Sequence, residues 1–356
     1  MENRVQKLIE ALPEGFEAAL VLSPENRFYF LDCDTHDAGS LLILPGNMVF
    51  IIDSRYIEMV QKSVKHAEVL LENDALAQIK ELLKKHRVET LYVENTLPLK
   101  QAASLERGLP GVALQTGQLF SEAVNALRAI KEPEEAERMK MAQKITDDCF
   151  TYILSYIREG MREVDIMLEM ERFMRTHGAE KVAFDTICVA GANTSLPHGV
   201  PGEYRVQKGD FITMDFGAKY KGYCADMTRT VAMGEPGEEK RKVYDMVLRA
   251  HLAGIAAARA GLRGNEVDKV ARDIIYGEGY EGYFGHGLGH AVGIEIHEDP
   301  RFSPKCTTVI KAGMMMTVEP GCYLPGRFGC RIEDTVLITE TGCLPLPASR
   351  KQLIVL

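Results

Sequence analysis

Asp210-Phe-Ile-Thr-Met-Asp215-Phe-Gly-Ala-Lys-Tyr-Lys-Gly-Tyr-Cys-Ala-Asp226-Met-Thr-Arg-Thr230 is the stretch on which the reading of this chain turns. Residues 211–218 and 223–232 are rich in β-branched and aromatic side chains, with a Lys-Gly turn region between them, so the pattern predicts a hairpin. Side chains alternate along a strand, which puts Phe211, Thr213, Asp215 and Gly217 on one face. Asp215 is then a carboxylate set into an apolar strand. A pairing symmetric about Tyr220–Lys221 sets it opposite Asp226. Two carboxylates forced together resist joint ionisation, and a bound cation removes the conflict. The plain alternative is a surface hairpin with two solvated aspartates, and residues downstream tip the balance away from it.

A second hairpin follows in Met314-Met-Met-Thr-Val-Glu319-Pro-Gly-Cys-Tyr-Leu-Pro-Gly-Arg-Phe-Gly-Cys-Arg331-Ile-Glu333-Asp-Thr335. Glu319 and Glu333 are symmetric about Gly326, inside a Leu-Pro-Gly-Arg turn signal, and Arg331, Glu333 and Thr335 share a face. Pro320 marks a strand end just after Glu319. Between the hairpins lies Phe284-Gly-His286-Gly-Leu-Gly-His290-Ala-Val-Gly-Ile-Glu-Ile-His297-Glu298. It gathers three of the chain's nine histidines within twelve residues, among glycines that let backbone approach a site. A fourth, His198, falls in the loop Ser195-Leu-Pro-His198-Gly-Val-Pro. A lone histidine is usually a satisfied structural residue; three between two acidic hairpins favour a site.

The C-terminal part repeats itself. Arg158-Glu-Gly160-Met-Arg-Glu-Val-Asp165 resembles Arg259-Ala-Gly261-Leu-Arg-Gly-Asn-Glu-Val-Asp268 with two residues inserted. Helix starts near Glu134 and Glu238 are 104 positions apart, Asp215 and Glu319 also 104, and Asp226 and Glu333 107. Each half reads helix, helix, strand, carboxylate-bearing hairpin, so a duplicated fold would bring both hairpins together about a pseudo-twofold axis. Pro133 with Glu134 and Glu135 opens the first helix, and Glu163–His177 is the second, stopped by Gly178.

Residues 1–126 alternate short helical and strand patterns and form a smaller α/β domain; 127–356 form the second. In the first, Arg4–Leu12 and Leu76–His86 read as helices. Ala18–Leu22, Phe28–Leu31, Ser40–Leu44, Met48–Ile52 and Thr90–Val93 read as strands. Asp32-Cys-Asp34-Thr-His36 offers Asp32, Asp34 and His36 as potential metal ligands, or simply a polar loop.

Composition narrows the function classes. The 356 residues are 46% hydrophobic and 26% charged, as in a soluble enzyme. A formal net charge of −9 argues against a general nucleic-acid binder. No apolar run approaches the roughly 18 residues of a membrane span. The charged N-terminus lacks a signal-peptide core. Eight scattered cysteines without a CxxC pair fit a reduced cytoplasm.

Asp215, Asp226, Glu319, Glu333 and one histidine make a ligand set for two hard dications, suited to Mn(II) or Co(II) more than to sulfur-rich structural zinc. With Asp-Phe-Gly-Ala and a second Asp eleven on, His-Gly-Leu-Gly-His followed by His-Glu, Glu-Pro-Gly, and Arg-Ile-Glu-Asp, the sequence resembles the pita-bread metallopeptidases over its whole length. The branch it resembles is that of prolidase and aminopeptidase P. The resemblance implies a creatinase-type N-terminal α/β domain before a pita-bread catalytic domain of two pseudo-symmetric halves, an α/β (α+β) chain. It puts the metal ligands at Asp215, Asp226, His290, Glu319 and Glu333, with Asp226 and Glu333 bridging two divalent ions. Mn(II) is the expected ion, with Co(II) or Zn(II) as alternatives. It implies hydrolysis of the bond before proline by hydroxide attack, with Glu319 as proton shuttle, His297 at the oxyanion and His198 near the leaving nitrogen. His286 and Arg331 follow as residues orienting ligands or substrate, Arg331 alternatively as an ion pair for Glu333. Arg301 is a candidate for a dipeptide carboxylate. The implied partners are a proline-containing di- or oligopeptide and a second copy of the chain in a homodimer, with neither nucleic acid nor membrane. Cys224 shares the face of Asp226, so a thiol reagent is expected to slow the enzyme. The rivals are a non-catalytic pita-bread binding module, which would have lost ligands, and a creatinase-like amidinohydrolase, which does not need the metal set.

Overall fold

The computed structural model describes residues 2–356, which divide into two compact units meeting at Arg128 and Ala129. The first holds α1 (Glu2–Ala11), β1 (Ala18–Val21), α2 (Pro24–Leu31), β2 (Ser40–Leu44), β3 (Asn47–Ile52), α3 (Ile57–Ser63), β4 (Glu68–Leu71), α4 (Ala75–Lys85), β5 (Thr90–Val93), α5 (Leu99–Gly108) and β6 (Ala113–Gln115), and ends in α6 (Gln118–Ala129). Its sheet runs β4-β3-β2-β1-β5-β6. Central strands β1 to β3 are buried almost throughout, as their unbroken apolar runs require. Phe28–Leu31 corrects the expectation of a strand: it is the last turn of α2. Ser23 caps that helix, its Oγ accepting from the Asn26 amide at 3.3 Å, with Pro24 at the first helical position. The start signal outweighed the aromatic run. Asp32 ends the helix in the left-handed region, and Asp34 Oδ1 accepts from the His36 amide at 2.8 Å, so Asp32–His36 is the polar loop of the two readings.

The second unit begins with α7 (Pro133–Tyr156) and α8 (Glu163–Thr176), then β7 (Lys181–Val182), β8 (Ile187–Ala190), a 3₁₀ turn at Gly191–Ser195, β9 (Phe211–Phe216), β10 (Ala218–Tyr220), β11 (Tyr223–Cys224) and β12 (Met227–Ala232). It continues with α9 (Glu238–Ala257), α10 (Gly264–Gly277), β13 (Gly289–Ala291), β14 (Glu298–Phe302), β15 (Met315–Val318), β16 (Gly321–Leu324), β17 (Phe328–Arg331), β18 (Asp334–Ile338) and β19 (Cys343–Pro345). The sheet order β12-β9-β8 of the first half recurs as β18-β15-β13 in the second. The halves also match in backbone detail. Gly160 N–H donates to Val206 O at 2.8 Å and Gly261 N–H to Ile310 O at 3.0 Å. Val206 and Ile310 return bonds to Met161 and Leu262. The duplicated motif in the sequence is thus one local structure built twice. Of the helical-spacing stripe Met139, Ala142, Ile145, Cys149, Ile153 and Tyr156 of α7, all are buried except the half-buried Tyr156.

Register needs one correction. Asp215 pairs with Thr228, and Lys219 with Cys224, so the first hairpin centres on Lys221-Gly222 rather than on Tyr220–Lys221. Both turn residues take positive φ, the arrangement favoured in two-residue hairpin turns. Asp226 is therefore diagonal to Asp215, still on the same face. In the second hairpin the pairs Val318↔Asp334 and Gly321↔Arg331 keep one register about Gly326, which places Glu319 across from Glu333.

Where β9 passes into β10, backbone packs against backbone. A Cβ on Gly217 would sit 1.8 Å from Ala225 O. Gly217→Ala is expected to destabilise the protein by about 1–3 kcal/mol through overpacking, read as a lowered urea midpoint.

Candidate metal centre

The two hairpins meet along β12 and β18. Thr228 is the hinge of this meeting: its backbone oxygen accepts from Glu333 N–H at 3.1 Å and its hydroxyl donates to Glu333 Oε2 at 2.6 Å. Thr335 Oγ1 donates to Asp226 O at 3.0 Å. Beside them Arg229 donates to Glu333 O at 2.5 Å and Asp334 Oδ1 at 2.8 Å, and His251 and Lys351 also contact Asp334. A buried charged knot therefore fixes the backbone on both sides of Glu333.

Asp215, Asp226, His290, Glu319 and Glu333 all border one cavity of about 250 Å³. His198, His286, His297, Arg301 and Arg331 border it too, so the structure brings these ten residues to one place, while Cys224 and the Asp32–His36 loop do not border it. Asp226, His290 and Glu333 each offer a ligand atom within 4.8 Å of the others, the one such grouping among the described residues. His290 Nδ1–H donates to Ala291 O at 3.0 Å, which leaves the Nε2 lone pair facing inward. That nitrogen lies 3.6 Å from Asp226 Oδ2 and 3.5 Å from Glu319 Oε1. Burial lowers the His290 pKa to about 3, so these contacts are lone pair against carboxylate rather than ion pairs.

Electrostatics expose the same conflict. Burial, joined by Glu333, Asp215 and Glu319, raises the Asp226 carboxyl well above the usual range. Burial, then Glu319 and Asp215, does so for Glu333. Burial raises Glu319 to about 8 against the pull of Arg331. Asp215 Oδ2 accepts from Arg331 Nη2 at 2.5 Å, but its buried Oδ1 has no partner among the described residues. Four carboxylates, one with an unpartnered oxygen, and a neutral imidazole nitrogen form an oxygen-rich donor set that fits divalent cations.

Arg331 serves Asp215, correcting the alternative in which it pairs with Glu333. Its other donors go to Thr228 Oγ1 at 3.1 Å, Pro197 O at 3.1 Å and Tyr323 Oη at 2.7 Å. This guanidinium is occupied by protein groups, which argues against a direct substrate contact. His286 is neutral, burial lowering its pKa to about 4. Its Nδ1–H donates to Gly287 O, so Nε2 accepts from Tyr323 O–H at 2.9 Å. Tyr323 thus links His286 to Arg331. The sequence reading missed Tyr323, Thr228 and Thr317, whose hydroxyl stands between His290 N and Glu319 Oε1. A turn placed at Lys221-Gly222 would have found Thr228. Arg301 is the cross-strand partner of His290, which brings its cation to the cavity. His198 and His297 are exposed on loops at the rim, and the His297 ring lies 4.5 Å from that of His290.

Comparison with known proteins matches this geometry to a family. Residues 137–340 match "Metallopeptidase family M24". The chain belongs to that family. Residues 4–130 match the "Creatinase/Prolidase N-terminal domain", so the M24 pita-bread unit is preceded by a creatinase-type one. The Xaa-Pro dipeptidase of Pyrococcus furiosus is 36% identical over 99% of this chain and 100% of its own. The solved Xaa-Pro dipeptidase from Bacillus anthracis superposes with a TM-score of 0.94 at 38% identity, covering 99% of each chain. The X-Pro aminopeptidase from Thermotoga maritima does so at 0.89 and 34% identity, covering 96% of this chain and 98% of that one.

Cys224 departs from expectation. It is 2% exposed, and burial pushes its thiol up to about 11, so the group is neither accessible nor a thiolate. An aromatic disulfide reagent is expected to label Cys224 only after unfolding, as followed by mass spectrometry.

The raised carboxyls also set a pH dependence. Glu319, moved from the usual 4.5 to about 8, stabilises the metal-free fold below its unfolded pKa, and that stability is lost as pH rises through the folded value. Cation binding needs the carboxylate and strengthens over the same window. The rise in Tm on adding Mn(II) to EDTA-stripped protein is expected to be larger at about pH 8 than at about pH 5.

Proposed function

We propose that this metallopeptidase hydrolyses the peptide bond on the N-terminal side of proline and uses two divalent ions, with Mn(II) as the preferred metal. The observation that carries the reading is the convergence on one cavity of Asp215, Asp226, Glu319 and Glu333 from two matched hairpins and His290 from β13. All five would hold the ions. Bound there, such ions polarise the scissile carbonyl and lower the pKa of a water.

The remaining work falls to the chain's own groups. Glu319 sits at the cavity, where its carboxylate would take a proton from the attacking water and pass it to the leaving nitrogen. His297, on the rim, donates a hydrogen bond to the developing oxyanion. His198 lies where the proline side of the substrate enters. Arg331 holds Asp215 in place through the 2.5 Å bond, and His286 is fixed behind it through Tyr323. Both act through other residues rather than on the substrate.

Arg301 supports the dipeptidase form of the reaction over the aminopeptidase form. A dipeptide presents a carboxylate directly beyond the proline ring, and a guanidinium at the cavity matches it. The eight cysteines are all free thiols, which favours a reducing, cytoplasmic location. No helix among the described residues is long and apolar enough to cross a membrane. A homodimer completes the proposal.

The test compares Xaa-Pro with Xaa-Pro-Yaa after Mn(II) addition, with EDTA as control. Hydrolysis of Xaa-Pro that EDTA abolishes is expected. Fast tripeptide with negligible dipeptide cleavage reverses the preference, and no cleavage of either by metal-loaded protein overturns the reading. Arg301→Ala is expected to raise KM for Xaa-Pro by about tenfold or more, with kcat and the tripeptide changed by less than about twofold.

A further inference from the structure

Glu298 opens β14 directly after His297, and its carboxylate turns back beneath the loop 292–297. Oε1 accepts from Ile294 N–H at 3.0 Å and Glu295 N–H at 3.3 Å. Oε2 accepts from Lys131 Nζ at 2.9 Å. The loop lies so close over this carboxylate that a Cβ on Gly293 would fall 2.6 Å from Oε2. The loop is pinned from the far side as well, Gly293 O by Cys224 N–H at 2.8 Å and Ile294 O by Lys219 Nζ at 2.7 Å.

Lys131 is itself rigidly placed. Its amide donates to Gly313 O at 2.9 Å, and its side chain is 1% exposed against 7% for Glu298. Lys131 is the cation at Glu298 Oε2, and loss of one member of a buried ion pair is strongly destabilising where it stands. Neither side chain borders the cavity. Their joint effect reaches the site through the loop they fasten, which presents Ile296 and His297 to it.

We infer that Lys131 and Glu298 are positioning residues for His297. The pair fixes the amides of Ile294 and Glu295, and with them the height and direction at which the His297 ring leaves the loop. This rests on the Xaa-Pro reading for what His297 does, but the anchoring of the loop stands apart from it. A neutral residue at 131 frees the loop without disturbing the five proposed ligands.

The experiment uses metal-loaded full-length protein. Lys131→Met is expected to speed hydrogen exchange at residues 292–297 by about tenfold or more, with metal content unchanged. It is expected to lower kcat/KM on Xaa-Pro by about 10–100-fold, the usual effect of removing an orienting partner. In a His297→Ala background the same substitution is expected to cost no further activity, because its effect passes through a ring no longer present. Lys131→Arg, which keeps the cation, is expected to recover most of both readouts. Unchanged exchange at Ile294 and Glu295 overturns the inference, as does an equal loss in both backgrounds. Should Lys131→Met fail to fold, Lys131→Met with Glu298→Gln removes both charges together and is read by the same criteria. If the wild type does not cleave Xaa-Pro, the functional reading falls while the exchange result still decides the anchor.

Discussion

Repulsion among four carboxylates is the constraint to which the second unit is built. Each of Asp215, Asp226, Glu319 and Glu333 would be easier to accommodate in water, and burial makes their mutual repulsion stronger. The fold holds them together by committing unusually strong neighbours. Arg331 donates to Asp215, Thr228 donates to Glu333 and Thr335 pins the backbone of Asp226. The buried Arg229–Asp334–His251 contacts then lock the strand beneath. Arg331 offsets the charge of Asp215, while the threonines fix positions without bringing a cation. The structure thus holds an electrostatic tension that a bound cation would relieve.

The supports are divided between the halves in an instructive way. Thr228 belongs to the first half and holds Glu333 of the second; Thr335 belongs to the second and holds Asp226 of the first. Duplication supplied two copies of a hairpin, and the exchange of threonine bonds couples them. The histidines are not exchanged in this way. His290 comes from β13, and His286 and His297 from the loops on either side of it, while His198 alone comes from the first half. One half therefore contributes most of the imidazoles at the cavity, and the pseudo-symmetry holds for the scaffold rather than for the side chains it carries there.

Much of this was legible in the sequence because it rests on local rules. Alternation marked Asp215 and Glu319 as misfits in apolar strands, and the repeated Arg-x-Gly signal identified the duplication. What escaped was set by register and by tertiary partners. A one-residue error in locating the first turn hid Thr228, since every partner across a ladder shifts by two when its centre moves by one. Tyr323 looked like any strand tyrosine until Arg331 and His286 were seen on either side of its hydroxyl. Cys224 shared a face with Asp226 as read, but nothing in the pattern revealed that the face was sealed. The Phe28–Leu31 turn went the other way: its helix was announced by Ser23-Pro24, and the aromatic residues obscured the announcement.

Asp215 and Glu333 are separated by more than a hundred residues, yet the cavity needs both. Neither half alone supplies the five side chains that converge there. Each hairpin by itself carries two of the four carboxylates. Only their docking through Thr228 and Thr335 gathers those acids into one enclosed donor set, so the site is a property of the completed second unit.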